Sequence, residues 1–280
     1  KGKGKYTQYR PVDSIIDEIL SINEKYGMKW MQIITDAVNI DRKWFIEFLD
    51  KYKEKVGIPF ICNVRIDRID EEIVKKMKEA GCDRVNYGIE HGNYEIRKNV
   101  LKRDMSNEAI IKAGQLFNKY KMRVLTANII GVPHETVETV METVRLNRKI
   151  KPKIAQCFIL QPYPKTNIYN YSKEHGFLDE KYDYSRTGTG FQEGFSNADY
   201  SMQLKLKDGK KLTKLLFLFD FLVHFKYLDP FINIILSLPF TRLYKAIYIF
   251  PLIRQRIKYS DNWNEKLEVL KTFLEAIIKG

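Results

Sequence analysis

The chain has 280 residues, 44% hydrophobic and 30% charged, with a formal net charge of +13. That is the composition of an ordinary soluble protein with a substantial core, and its longest charge-free run, Pro230 to Thr241, is too short to span a bilayer. The positive excess admits nucleic acid, an anionic membrane surface or an anionic substrate as partner, or only a Lys-rich solvated surface. The cysteines Cys62, Cys82 and Cys157 form no C-x-x-C pair and read as buried reduced thiols of a reducing cytoplasm. The opening KGKGKYTQYR starts with Lys and has no apolar h-region, so a processed or excised piece without a targeting signal is expected.

In chain order, Val12 to Tyr26 has apolar residues at helical spacing between Asp13-Ser14 and Gly27, and predicts a helix. Met31 to Thr35 suits a short buried strand. Asp41 opens a second amphipathic helix carrying Trp44, Phe45, Phe48 and Leu49 on one face. Pro59 to Val64 predicts the next strand, and Asp70 caps a helix over Glu71 to Ala80. Arg84 to Ile89 predicts the third strand, with Asn93 to Val100 and Ser106 to Tyr120 helical after it. Met122 to Ile130 is the longest β-rich run, Glu135 to Ile150 is helical, and Ile154 to Leu160 is a further strand. Strands recurring every roughly 30 residues, each followed by a helix, are the signature of right-handed βα units and a parallel sheet or barrel.

Because the order begins with a helix, one strand of a barrel is expected to be missing at the N-terminus. Tyr182 to Asp199 is rich in Gly, Ser and Thr and reads as a loop or linker. Residues 201–280 are helical and aromatic-rich, interrupted by Asp220, Pro230 and Pro239. They read as a helical cap with a buried face. The alternative is a membrane-surface element, because apolar helices lie beside Arg242, Arg254, Arg256 and Lys258. The expected fold class is therefore α/β. It comprises a partial (β/α)6 TIM-type barrel over 1–178 that lacks its first strand, a linker over 179–200 and a C-terminal α-helical domain over 201–280.

In such barrels the functional residues sit just past the C-terminal ends of the strands. Here those are Thr35-Asp36, Asn63 and Arg65, Glu90-His91, Asn128 with Gly131-Val132-Pro133, and Gln161 with Tyr163. In Gly88-Ile89-Glu90-His91-Gly92, an acid between two glycines lets side chain and backbone approach a ligand. Arg103 follows after one helix's worth of chain, so that acid and base could hold the two ends of a zwitterion. Each member has a bland alternative: Asp36 or Asn63 as a loop cap, Arg65 as the partner of Asp67 or Asp70, His91 as a satisfied loop histidine. The chain has no G-x-S-x-G, Walker loop, H-E-x-x-H or G-x-G-x-x-G, and its histidines lack metal-ligand spacing, so no metal site is assigned and the catalytic residues stay unassigned.

Tyr87-Gly88-Ile89-Glu90-His91-Gly92 with Leu101-Lys102-Arg103, then Gly131-Val132-Pro133-His134-Glu135-Thr136, then Pro162-Tyr163-Pro164-Lys165-Thr166, resembles the barrel of radical S-adenosylmethionine enzymes. The likeness runs over about residues 5–178 and is nearest to the branch with an N-terminal cobalamin-binding domain. It implies a 4Fe–4S cluster and S-adenosylmethionine, whose one-electron cleavage gives a 5′-deoxyadenosyl radical for C–H chemistry such as methylation. By motif position, Glu90 and Arg103 would contact the ribose and the methionine carboxylate, and Ile129 and Gly131 would pack the adenine. Asp36 stands where the family usually has Gly-Gly-Glu on the methionine amino group, and Glu135 falls one place later than the family's glutamate. The C-x-x-x-C-x-x-C ligands of the family are not in this sequence, and its three cysteines cannot replace them, so the fragment alone is expected to hold no cluster and do no radical chemistry.

The resemblance further implies a cytoplasmic enzyme peripheral to a membrane or free of it, a small-molecule or lipid substrate, a reductant protein such as flavodoxin or ferredoxin, and cobalamin held by a further domain. Nucleic acid is not expected as the partner. Two rival readings stand beside it: a basic module binding RNA or an anionic membrane surface, and a conventional TIM-barrel lyase or hydrolase acting through Asp36, Glu90 and Arg65.

Overall fold

In the computed structural model of the chain, residues 8–178, 182, 202–259, 262–264, 266–268 and 270–271 are described. The linker expected at 179–200 therefore lies outside the described residues except for Tyr182. Five parallel strands form one sheet in the order β1-β2-β3-β4-β5, with helices between them, the pattern of a partial TIM-type barrel. The chain divides into two compact units. Residues 1–88, 106–126 and 150–154 make the first, and 89–105, 127–149 and 155–280 the second.

The first unit begins with α1 (Val12–Tyr26), which buries Val12, Ile16 and Ile19 and stops at Gly27, whose φ of 63° a side chain would strain. Strand β1 (Met31–Ile33) pairs in parallel with β2 (Phe60–Asn63), Met31 opposite Phe60 and Ile33 opposite Cys62. Between them, α2 (Arg42–Lys55) starts where the Asp41 carboxylate accepts from the Trp44 N–H at 3.1 Å, and buries Phe45, Phe48, Leu49 and Tyr52. The Tyr52 hydroxyl donates to the Ile58 carbonyl at 2.7 Å, so this large ring is buried without an orphaned polar atom. Asp70 caps α3 (Glu71–Glu79), and Ser106 caps α4 (Asn107–Lys119), each through a backbone N–H three residues on. The caps read from sequence at Asp41 and Asp70 are these.

Strand β3 (Cys82–Glu90) is longer than the Arg84 to Ile89 expected, and its buried residues alternate. Strand β4 is Arg123–Ile130 and β5 is Ile154–Ile159. The stretch expected as a plain helix over Asn93 to Val100 is instead a short helical segment whose last turn, Ile96–Val100, is a π-helix. The wider turn tucks Arg97 inward, as described below.

In the second unit, α5 (Val137–Ile150) and β5 share a core with the C-terminal helices α7 (Gly209–His224), α8 (Ile232–Ser237) and α9 (Thr241–Tyr259). Here α6 is Asn167–Glu174, capped by Thr166. Residues Leu212, Leu215, Leu216, Phe219 and Leu222 of α7 are buried against Val140, Met141, Val144, Ala155 and Cys157. Asp220, which breaks the apolar run of α7, accepts from the Ala155 N–H at 2.8 Å. Among the described residues β5 is the last strand of the sheet, and that contact satisfies an amide on its outer edge.

Gly92, one of the two glycines read as making room for a ligand, makes room for α5 instead. Its N–H donates to Thr143 Oγ1 at 2.8 Å, and a Cβ there would stand 2.4 Å from the Thr143 backbone. Gly92→Ala is therefore expected to cost roughly 2–3 kcal/mol of stability, read as a lowered urea midpoint.

Candidate active site

The strand ends of the first unit carry Asp36, Asn63 and Arg65. Asp36 is exposed just beyond β1. The Asn63 amide donates to the Thr35 carbonyl at 2.8 Å, and its oxygen accepts from Asn86 at 3.1 Å. A side-chain ladder thus joins the ends of β1, β2 and β3. Arg65 makes a two-bond ion pair with Asp67, Nε to Oδ1 at 3.0 Å and Nη2 to Oδ2 at 2.8 Å, which lowers the Asp67 pKa chiefly through that hydrogen bond. Its backbone N–H is held by Asn39 Oδ1 at 2.7 Å. Arg65 thus takes the alternative role foreseen for it, as the partner of Asp67.

In the second unit, β3 ends on Glu90, a non-glycine residue with φ 67°. The His91 N–H donates to the Ile89 carbonyl at 2.9 Å, closing a three-residue turn around Glu90. Backbone of this kind is strained for a side-chain-bearing residue and persists only where its surroundings enforce it. The next few residues supply that enforcement. His91 is fully buried; its Nδ1 accepts from the Asn93 N–H at 3.0 Å, so the proton sits on Nε2, which donates to Glu135 Oε1 at 3.0 Å. The other Glu135 oxygen accepts from the Gly131 N–H at 2.5 Å and the Val132 N–H at 3.4 Å. Arg97, also fully buried, donates to the carbonyls of His91 (2.5 Å) and Met105 (3.1 and 2.5 Å).

The outcome is that Arg103 returns to the end of β3. Its Nη2 lies 3.6 Å from Glu90 Oε1, with the Glu90 side chain 17% and the Arg103 side chain 47% exposed. Burial raises the Glu90 pKa above the ordinary carboxylate value, and the Arg103 charge pulls against that without cancelling it. An acid whose charged form is disfavoured by burial, beside a half-exposed guanidinium at a strand's C-terminal tip, is the environment in which ligand-contacting groups are found.

The remaining residues read from sequence divide between the two faces of β4. Ile129 is half-buried and packs with Ile96, Val100 and Val132. Asn128 points the other way, as successive strand residues must. It is fully buried, its amide donating to the Gln156 carbonyl at 2.8 Å and its oxygen accepting from Asn147 of α5 at 2.8 Å. These bonds tie Asn128 into the packing of α5 on β4. Gly131 has φ 86°, and a Cβ there would meet Met202 Sδ at 2.9 Å. The sequence reading overlooked Arg97 and Asn147, and assigned Glu135 only by motif position. A buried Arg or Asn on a helix has no local signature; the carboxylate four residues after Gly131 is a turn signal that could have been read.

Among the described residues no three His, Cys, Asp or Glu side chains gather in a way that could hold a metal ion. Cys62 and Cys82 lie together with their sulfurs 4.0 Å apart, and burial pushes the Cys82 thiol well up; Cys157 is buried and likewise raised. These are inert packing thiols, and they do not fit as ligands of an iron–sulfur cluster.

A βα sheet whose strand tips carry an acid–base pair and a glycine turn defines a ligand-binding enzyme of the TIM-barrel class. Residues 1–146 match the Radical SAM superfamily, and the chain belongs to that enzyme superfamily, whose members use a 4Fe–4S cluster and S-adenosylmethionine. It is 28% identical over 176 residues to an uncharacterised methyltransferase of Pyrococcus horikoshii, covering 62% of this chain and 38% of that protein. It is 25% identical over 180 residues to the anaerobic magnesium-protoporphyrin IX monomethyl ester cyclase of Rubrivivax gelatinosus, covering 63% and 32%. It is 24% identical over 184 residues to the cytidylyl-2-hydroxyethylphosphonate methyltransferase of Streptomyces wedmorensis, covering 63% and 34%. The chain thus spans about a third of the length of these relatives. In fold it is similar to the radical S-adenosylmethionine methyltransferase TsrM of Kitasatospora setae, solved with cobalamin and a [4Fe-4S] cluster, with TM-score 0.53 and 19% identity over 59% of this chain and 32% of that one. The coproporphyrinogen III oxidase of Escherichia coli, also a radical SAM enzyme, gives TM-score 0.52 and 13% identity over 74% and 44%.

The raised Glu90 pKa has a measurable consequence. A carboxyl favoured in its protonated form by the fold adds stability that is complete below its unfolded pKa and is lost as pH rises through the folded one. Glu90→Gln should therefore raise the thermal midpoint at neutral pH and leave it unchanged in acid, as followed by circular dichroism.

Proposed function

We propose that the end of β3 and the turn after β4 hold S-adenosylmethionine for a radical methylation or related C–H transformation carried out by the longer protein. The observation that carries this reading is the Glu90–Arg103 pair, 3.6 Å apart in the chain's own family context. The Arg103 guanidinium would hold the methionine carboxylate, and the Glu90 carboxylate would accept from the ribose hydroxyls. Ile129 would supply an apolar wall for the adenine beside the turn at Gly131, whose φ of 86° only glycine adopts readily. Bound S-adenosylmethionine supplies a carbon-centred radical when its sulfonium is reductively cleaved. This chain's residues bind and orient the cofactor and keep it from water.

The described side chains offer no ligand set for the cluster, so reduction of the sulfonium is assigned to no residue here. We infer that the chain by itself does not cleave the cofactor. Likeness to methyltransferases, and to a structure solved with cobalamin, supports cobalamin as a methyl carrier in the whole protein. A small-molecule substrate, an external reductant protein such as a flavodoxin or ferredoxin, and a cytoplasmic site of action complete the reading. On it, residues 1–178 act as the cofactor-binding barrel and 201–280 as its helical companion.

In the whole protein, Glu90→Ala and Arg103→Ala should each weaken S-adenosylmethionine binding by about tenfold or more, the value of a lost charge-assisted contact. Anaerobic equilibrium dialysis measures it, with circular dichroism showing the fold retained. Unchanged affinity in both variants would overturn the assignment of this rim.

A further inference from the structure

Residues 225–243 expose apolar side chains on a segment whose inward side is apolar as well. In α8, Ile232 and Leu236 are buried in the core, while Ile234 (61% exposed) and Phe231 just before the helix (55% exposed) face outward. Phe225, Tyr227, Phe240 and Leu243, before and after α8, are exposed too. Single exposed apolar residues are ordinary on any protein; aromatic and aliphatic ones concentrated on one short helical segment mark a covered surface. The outward side of α8 itself mixes Ile234 with the polar Asn233 and Ser237, and among the described residues it is left exposed, so its apolar character comes from Ile234 together with the flanking Phe231 and Phe240.

Charge says what covers the other. Between residues 225 and 259 the basic side chains are Lys226, Arg242, Lys245, Arg254, Arg256 and Lys258, and the acidic ones reduce to Asp229. That acid is already neutralised, its two oxygens 2.6 and 2.7 Å from the Arg148 guanidinium. Lys226 and Arg242 are exposed at the two ends of the apolar stretch, and the Lys226 ammonium lies 5.5 Å from the centre of the Tyr227 ring. Apolar and aromatic side chains with a one-signed cationic border suit a surface that is greasy beneath and anionic at its boundary. No helix among the described residues is long and apolar enough to cross a membrane, so such a segment lies along it.

We propose that the outward side of residues 225–243 docks on an anionic lipid bilayer, with Phe231, Ile234 and Phe240 in the interfacial layer and Lys226 and Arg242 at the headgroups. This goes beyond the cofactor reading and does not depend on it. The docking would bring the enzyme to the surface where an amphiphilic substrate is concentrated.

The test is flotation of the whole protein with phosphatidylcholine vesicles made with and without phosphatidylglycerol. Wild-type protein should float with the anionic vesicles, and raised salt should release it. Phe231→Glu with Ile234→Glu, and separately Arg242→Glu, should lower the partition coefficient by about tenfold or more while the urea midpoint and S-adenosylmethionine affinity stay as in wild type. Equal flotation of wild type and the double variant would overturn the proposal, as would no flotation on either vesicle. If sedimentation without lipid instead shows wild type dimerising and the double variant monomeric, the surface belongs to a second copy of the chain and the bilayer proposal falls.

Discussion

A carboxylate taken out of water has to be met by donors, and Glu135 is met by three. The N–H groups of Gly131 and Val132 and the Nε2–H of His91 converge on its two oxygens, with its side chain wholly buried. Each donor is a group that folding would otherwise leave unsatisfied, so acid and amides stabilise one another. The result links the residue after β3 to the turn after β4. Arg97 extends the link by bonding the carbonyls of His91 and Met105, which sets the course of the chain into and out of the π-turn that returns Arg103 to Glu90. Removing one member of such a network leaves the others buried and unmet, at a cost of about 1–3 kcal/mol for each orphaned group.

Glu90 shows what that rigidity is used for. A residue with positive φ, its carboxyl driven up in pKa by burial, is unfavourable on both backbone and electrostatic grounds. A chain selected only for stability would place glycine or an uncharged side chain there. The cost is borne where the surrounding hydrogen bonds can hold it. The glycine just after Glu90 and His91 is taken up in packing: Gly92 serves the approach of α5.

The C-terminal helices complete the second unit by closing an open edge. Asp220 meets the Ala155 amide, and Arg148 reaches across to the Leu222 carbonyl and to Asp229. Polar side chains that seem to interrupt apolar runs in the sequence are thereby the ones that fasten α7 to β5 and α5. The apolar residues between them fill the inner side, and Phe231 and Ile234 remain outside because Ile232 and Leu236 already occupy the inward positions of α8.

The sequence by itself determined the alternation of strands and helices, because a buried parallel strand and a one-sided helix leave different apolar periods. It located α1, α2, α3 and the strands to within a few residues, and marked the caps at Asp41 and Asp70, since those signals act between neighbours along the chain. It also marked Glu90 and Arg103 as a pair. Only tertiary structure decided which partners the polar residues at the strand ends take up. Arg65 is committed to Asp67, Asn63 to Thr35 and Asn86, and Asn128 to Gln156 and Asn147. It alone placed Arg97 in the interior, bonded to the carbonyls of His91 and Met105. Hydrogen bonds between residues far apart in sequence depend on the packing of whole elements, and nothing in the local pattern of residues encodes that packing.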